Sequence, residues 1–172
     1  IKVGLADGRS APATLVGTDP ATDLAVIKIE LTNLTPAKVP ADLDSRVGDI
    51  VFAIGNPLGL ERSLTQGVIS TTQRNFDGLT YIQTDTPINP GNSGGPLFNT
   101  RGEVIGITNM GIPGGEALGF AIPTRYLKDF IRNREAFAYD RTNPNSGHIY
   151  NQPPRRMAPG APSVLQDGTS GE

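Results

Sequence analysis

The chain of 172 residues is long enough for one domain with a sizeable core. Its formal net charge of −2 gives no electrostatic basis for binding nucleic acid, and no apolar run is long enough to span a bilayer. The absence of cysteine excludes disulfides and thiolate metal sites, and a single histidine with scattered carboxylates predicts no metal and no cofactor. The 21 glycines and 15 prolines favour short strands joined by many turns.

Short stretches of alternating apolar residues follow one another from the N-terminus. Ile1, Val3 and Leu5 alternate, and the Asp7-Gly8 pair that follows is a hairpin-turn signal. Short strands separated by turn residues predict an all-β barrel or sandwich. The further strand patterns cover residues 13–17, 23–30, 49–55, 63–71, 79–84, 96–99, 103–109 and 117–122.

One helix is predicted near the end of the strand series. Pro123-Thr124 is a start signal, and the helix is expected to run to about Ala136 and to pack an apolar stripe on the barrel. That stripe consists of Tyr126, Leu127, Phe130 and Ile131. From Asn143 onward few large apolar residues occur, so we divide the chain into a folded domain, 1–137, and a flexible Pro/Gly-rich tail, 138–172.

A serine set among glycines is the strongest candidate for chemistry. The segment "GNSGG" contains Gly91, Ser93 and Gly94, and glycines permit backbone conformations closed to other residues. A tight loop here could place the Gly91 and Ser93 N–H groups beside the Ser93 hydroxyl, which is the arrangement of an oxyanion hole. The alternative interpretation is an ordinary turn, because such loops are common.

Several motifs occur together with this loop in one order. Their combination closely resembles the protease domain of the HtrA (DegP-like) serine endopeptidases over roughly residues 1–131. The motifs are "TDLAVIKI" (22–29), "AIGNPLG" (53–59), "IQTDTPINPGNSGGPLFN" (82–99), "GEVIGITN" (102–109) and "GFAIP" (119–123). The resemblance implies a chymotrypsin-like double β-barrel, here with an incomplete first barrel, and an endopeptidase that acts outside the cytoplasm, often as a trimer.

The resemblance also implies roles for individual residues. Ser93 would be the nucleophile, Asp23 would orient a histidine, and the amides of Gly91 and Ser93 would form the oxyanion hole. Asp23 opens an apolar strand, where a carboxylate is costly unless something pairs with it. A turn or cap role fits Asp19 better, and for Asp85 we expect hydrogen bonding within its loop.

The resemblance further suggests how a substrate would lie. Relatives that cut after Arg or Lys carry an acid six residues before the nucleophile, where this chain has Pro87. An extended, unfolded polypeptide would pair as an added strand with Ile107, Thr108 and Asn109. The primary pocket would be apolar and lined by Ile88, Met110 and Ile112, although ordinary barrel core is an equal alternative for Ile88.

The catalytic base is missing from the recognised motifs. In the family the histidine precedes the strand with which this chain begins, so we expect it upstream of Ile1. His148 lies in the predicted tail, where a solvent-exposed role is the commoner case, and Lys28 has no clear path to Ser93. Two functions therefore stay open, a serine endopeptidase completed by an upstream histidine and an inactive pseudo-protease that binds peptides.

Overall fold

The computed structural model describes residues 1–42, 44–56, 63–76, 78–111 and 118–133. The predicted tail and the end of the predicted folded domain lie outside these residues. The elements are β1 (Lys2–Gly4), β2 (Ser10–Asp19), β3 (Leu24–Ile29), β4 (Ile50–Gly55), β5 (Ser63–Phe76), β6 (Leu79–Thr84), β7 (Pro96–Asn99), β8 (Val104–Gly111), β9 (Gly119–Pro123) and α1 (Thr124–Arg132).

Six strands close into a barrel in the order β4-β5-β6-β9-β8-β7. Alternation builds its core, since Val51 and Ala53 of β4 are fully buried while Ile50 and Ile54 are exposed. For the residues that the structure describes, the prediction of an all-β barrel with one helix is confirmed. The buried cluster at the centre of the barrel consists of Val51, Ala53, Ile69, Ile82, Leu97, Ile105 and Ala121.

The first three strands form a separate antiparallel sheet in the order β1-β2-β3. Within the described residues this sheet is open, and it precedes the closed barrel in the chain. Leu24 of β3 is buried, whereas Ile27 on the other face is 43% exposed. The sheet therefore uses one face of β3 to pack against the rest of the molecule.

Strand β5 is longer than predicted, because it continues to Phe76 instead of ending near residue 71. Its pairing with β6 shifts register twice, between Ile69 and Thr71 and between Thr71 and Arg74. Such bulges let a strand continue past polar residues that break strict alternation. The alternation of apolar residues continues only as far as the first bulge, and the strand was therefore predicted to end near residue 71.

Helix α1 is shorter than predicted, since it ends at Arg132. Asn133 leaves the helical conformation, and both its backbone N–H and its side-chain amide donate to the carbonyl of Asp129. Phe130 is buried, and Tyr126 and Leu127 pack around it. Ile131 is 48% exposed, so its assignment to the packed stripe was wrong, because the helix contacts the strands through a narrower face.

An ion cluster fixes the segment between β3 and β4 to the barrel. The Glu103 side chain is buried, and its oxygens contact Lys38 Nζ at 2.6 Å and Arg101 Nε at 2.9 Å. Asn99 Nδ2 donates to the same carboxylate at 2.9 Å, and Val104 N donates to the Lys38 carbonyl. The Lys38 hydrogen bond, then those of Asn99 and Arg101, lower the pKa of Glu103 from 4.5 to about 2.

Replacing Glu103 with Gln is expected to remove an acid-sensitive part of the stability. Because the pKa is depressed in the folded state, the stabilisation is complete above pH 4.5 and is lost as pH falls toward 2. Urea unfolding should therefore show a clear deficit for Glu103→Gln at about pH 7 that narrows at about pH 3. Glu30→Gln is the matched control, because its pair with Lys28 is solvent-exposed. A deficit that stays constant with pH would contradict the prediction.

Candidate active site

The segment 89–95 forms a tight loop between β6 and β7, anchored by one buried side chain. Gly91 and Gly94 have φ values of 106° and 81°, in a region that residues with a Cβ rarely adopt. Asn92 between them is buried, and its amide nitrogen Nδ2 donates to the Pro87 carbonyl at 3.3 Å. Its backbone N–H donates to the Asn89 carbonyl at 2.9 Å. This winding leaves Ser93 exposed on the outer side of the loop.

Strand β4 supports the loop from one side. Asn56 N donates to the Gly91 carbonyl at 3.1 Å, and Asn92 lies directly against Gly55. A Cβ at Gly55 would fall 2.7 Å from Asn92 Cα and 2.8 Å from Asn92 Cγ, well inside contact distance. The sequence analysis assigned no role to Gly55 or Asn92. A glycine at the end of a buried strand was the available signal for such a close approach.

Strand β8 supports the loop from the other side through Thr108. Thr108 N donates to the Gly95 carbonyl at 2.8 Å, and Gly94 N donates to the Thr108 carbonyl at 2.7 Å. The buried Thr108 hydroxyl contacts the Asn92 carbonyl, with the Gly95 carbonyl 3.1 Å away. These contacts continue the ladder of β7 and β8 into the loop.

The predicted substrate-pairing strand is therefore displaced along β8. Ile107 pairs with Pro96 on one side and Ile122 on the other, and Thr108 is occupied by the loop on one side and by Ala121 on the other. Neither residue has a free backbone edge, because both lie inside the barrel ladder. Among the described residues, no strand pairs with the β7-facing edge of β8 from Asn109 to Gly111. The open edge begins at Asn109.

The Ser93 hydroxyl lies at the start of this open edge. It donates a hydrogen bond to the Asn109 carbonyl. Among the described residues, no oxygen accepts a hydrogen bond from the amide of Gly91 or Ser93. The Ser93 loop thus carries an exposed hydroxyl at an open strand edge and two amides with no acceptor among the described residues, and these are groups that acyl transfer to an extended peptide would need.

Asp23 lies at the turn between β2 and β3 with a φ of 58°. Its side chain is exposed, so the expected cost of burying this carboxylate is absent, because the turn holds it in solvent. The turn role expected for Asp19 is confirmed, since its buried carboxylate accepts from Thr22 Oγ1 at 2.6 Å and from Ala21 N at 3.1 Å.

Packing places the start of β3 near the middle of β8. Leu24, which follows Asp23, is buried with Ile122 and Phe130, and Ile107 packs against the same cluster. Ile107 precedes Asn109, the acceptor of the Ser93 hydroxyl, by two positions in β8. The small sheet therefore docks on the same part of the barrel that carries the Ser93 loop.

The remaining predicted residues divide between loop, core and undescribed positions. Asp85 does not bond within its loop as expected, because its carboxylate accepts from Val68 N of strand β5 at 2.7 Å. Ile88 is partly buried and packs against the barrel core and Gly119. Met110 belongs to β8, whereas Ile112 lies outside the described residues.

The structure describes one of the two alternative bases, Lys28. His148 lies outside the described residues, and Lys28 pairs with Glu30 at 2.9 Å on an exposed part of β3. The described part of the chain holds no group of three or more carboxylates or histidines placed to bind a metal. It likewise contains no helix with the length and apolar character of a membrane span.

A cavity of about 320 Å³ lies elsewhere, between residues 44–51 and the turn that joins β7 to β8. Its lining includes Asp49, Asn99 and Arg101 but none of the predicted site residues. The Ser93 loop is therefore not part of this cavity.

The fold and the Ser93 loop together define a serine peptidase framework, and comparison with known proteins gives the same family. Residues 1–107 match the model of the trypsin-like peptidase domain. The chain belongs to this family of trypsin-like peptidases.

Among the similar curated proteins is a probable periplasmic DegP-like serine endoprotease of Chlamydia pneumoniae. It is 49% identical over 144 residues, which cover 77% of this chain and 30% of that protein. The mitochondrial serine protease HTRA2 of Drosophila grimshawi is 43% identical over 79% of this chain and 33% of its own length. The chain thus spans about a third of the length of these relatives.

Two solved structures show the same resemblance in three dimensions. A serine endoprotease from Yersinia pestis has a TM-score of 0.72 at 44% identity, covering 77% of this chain and 47% of that one. The HtrA-type protease AlgW, solved with a decapeptide, has a TM-score of 0.73 at 45% identity, and the match covers 78% of this chain and 43% of that one. The predicted resemblance to the HtrA serine endoproteases is confirmed.

Proposed function

We propose that this chain is the nucleophile-bearing part of an HtrA-type serine endopeptidase that cleaves unfolded or extended polypeptides. The observation that carries the proposal is the position of the Ser93 hydroxyl. It belongs to the same loop as the amides of Gly91 and Ser93, which have no acceptor among the described residues, and it lies where the edge of β8 opens at Asn109.

The proposed reaction is acyl transfer. The Ser93 hydroxyl leaves the Asn109 carbonyl and gives its proton to a histidine supplied from outside the described residues. Its oxygen then attacks the peptide carbonyl carbon, and the amides of Gly91 and Ser93 hold the resulting oxyanion. The C–N bond breaks as the leaving amine takes the proton, and water releases the acyl-enzyme by the same steps. Asp23 orients the histidine and stabilises its charged form.

The substrate class follows from the open edge of β8. A peptide can add as a strand along residues 109–111 only if its own backbone is extended and unpaired, which favours unfolded protein. Once the Ser93 hydroxyl leaves, the Asn109 carbonyl accepts a substrate N–H instead. The decapeptide solved with AlgW supports a peptide ligand for this chain. An apolar pocket at Ile88, Met110 and Ile112, a site of action outside the cytoplasm and assembly into a trimer belong to the same proposal.

Covalent labelling of the complete polypeptide tests whether Ser93 is an activated nucleophile. A fluorophosphonate probe phosphonylates only serines that have both a base and an oxyanion hole. We expect labelling at Ser93 and none at Ser70, which is also exposed but lies in strand β5. Cleavage of an unfolded protein should accompany the labelling. A folded sample that binds peptides but is not labelled would overturn the proposal and favour the pseudo-protease.

A further inference from the structure

Thr108 contacts the Ser93 loop in a way that no substrate-binding role explains. Its side chain is 1% exposed and points into the loop, not toward the open edge of β8. Its hydroxyl contacts the Asn92 carbonyl, and its N–H and carbonyl bond to Gly95 and Gly94. One side chain thus joins the strand to the peptide unit that immediately precedes the nucleophile.

The hydroxyl acts on the orientation of one peptide plane. The Asn92 carbonyl and the Ser93 N–H belong to the same planar trans peptide, so they point in opposite directions. A donor that holds the Asn92 carbonyl against β8 therefore turns the Ser93 N–H away from β8 and outward. Gly95 N also donates to this carbonyl, at 2.9 Å, but it belongs to the same loop and moves with it. Thr108 is the contact that ties the plane to the barrel.

We infer that the Thr108 hydroxyl is a positioning group for the oxyanion hole, which it serves by fixing the Asn92–Ser93 peptide. The inference rests on the proposed function, since it requires that the Ser93 amide stabilise an oxyanion. The hydroxyl touches neither substrate nor reacting atoms. Its effect is therefore confined to the transition state, where the oxyanion forms, and does not extend to ground-state binding of the peptide.

Thr108→Val tests the inference, because valine keeps the shape of threonine and removes only the hydroxyl. In the complete polypeptide, kcat should fall by about 10- to 100-fold, less than the loss of a whole oxyanion donor, while KM stays within about twofold. A peptide boronic acid, which mimics the tetrahedral intermediate, should bind more weakly by the same factor as the fall in kcat/KM. Thr108→Ser restores the hydroxyl and should restore kcat.

Thr84→Val is the matched control for loss of a buried hydrogen bond. Thr84 is also fully buried, and its hydroxyl donates to the Val68 carbonyl at 2.7 Å and accepts from Thr86 N at 3.1 Å, neither of which belongs to the segment 89–95. Thr84→Val should destabilise the protein about as much as Thr108→Val does, and it should leave kcat within about twofold of the value for the unmodified protein. If Thr84→Val lowers kcat as much as Thr108→Val, or if Thr108→Ser is as slow as Thr108→Val, the hydroxyl has only a structural role.

The outcome is separable from failure of the proposed function. If the proposed function is wrong, the unmodified protein shows no turnover that depends on Ser93, and Ser93→Ala in the same assay reveals this. If only the inference is wrong, turnover depends on Ser93 but Thr108→Val matches the unmodified protein in kcat and boronate affinity. Should Thr108→Val fail to fold, Thr108→Ala removes the hydroxyl in its place, and a kcat for Thr108→Ala equal to that of Thr108→Ser would overturn the inference.

Discussion

Ser93→Ala is expected to lower the turnover of an unfolded protein substrate by about a million-fold, because under the proposed function it removes the nucleophile of a serine triad. The oxyanion hole and substrate binding would retain roughly a thousandfold acceleration over water, which is too little to detect as proteolysis. The measurement is the rate of digestion of an unfolded protein such as casein by the complete polypeptide.

The same substitution should leave the fold intact. Ser93 is exposed, and its hydroxyl donates to the Asn109 carbonyl at an open strand edge, where water can take its place. We expect the free energy of unfolding to change by less than about 0.5 kcal/mol, as for other surface substitutions. Ser70→Ala is the control and should change neither turnover nor stability. If Ser93→Ala digests the substrate at the unmodified rate, Ser93 is not the nucleophile.

Gly55→Ala is expected to destabilise the protein by about 3 kcal/mol, at the upper end of overpacking in a close-packed interior. The added methyl would fall 2.7 Å from Asn92 Cα, so the backbone of the Ser93 loop must move and not merely a flexible side chain. A shift of about 1 Å in the nucleophile costs on the order of a hundredfold in rate. Urea unfolding and kcat on an unfolded substrate measure the two effects separately.

Gly4→Ala provides the matched control for this substitution. Gly4 and Gly55 each end a strand, β1 and β4, but nothing lies within 4 Å of a Cβ added at Gly4. Alanine there should be neutral or slightly stabilising, because it lowers the entropy of the unfolded chain. Equal stability losses for Gly4→Ala and Gly55→Ala would show that the approach of Asn92 to Gly55 is not the cause.

Local patterns predicted most of the elements. Alternation in β4 and the turn signals around each strand are properties of neighbouring residues, so they can be read before any tertiary contact is known. The element ends were less predictable. The continuation of β5 to Phe76 depends on bulges opposite β6, and the end of α1 at Arg132 depends on the conformation of Asn133.

The candidate site, too, was predicted only in part from the sequence. The glycines around Ser93 mark a loop with unusual backbone angles, and family motifs supplied its role together with that of Asp23. The register of the open edge could not be predicted from them. Whether Ile107, Thr108 or Asn109 faces a free edge depends on where the Ser93 loop attaches to β8, and the loop occupies Thr108.

The sequence by itself therefore determined most of the strand series and the helix that begins at Thr124, because these depend on residue type and local spacing, while the family resemblance singled out Ser93 as the candidate nucleophile. Only the tertiary structure decided which face of β3 is buried, which glycine makes room for Asn92 and which hydroxyl holds the peptide before Ser93. Each of these depends on contacts between residues far apart in the chain, and close packing, which local patterns do not encode, selects among the arrangements that those patterns allow.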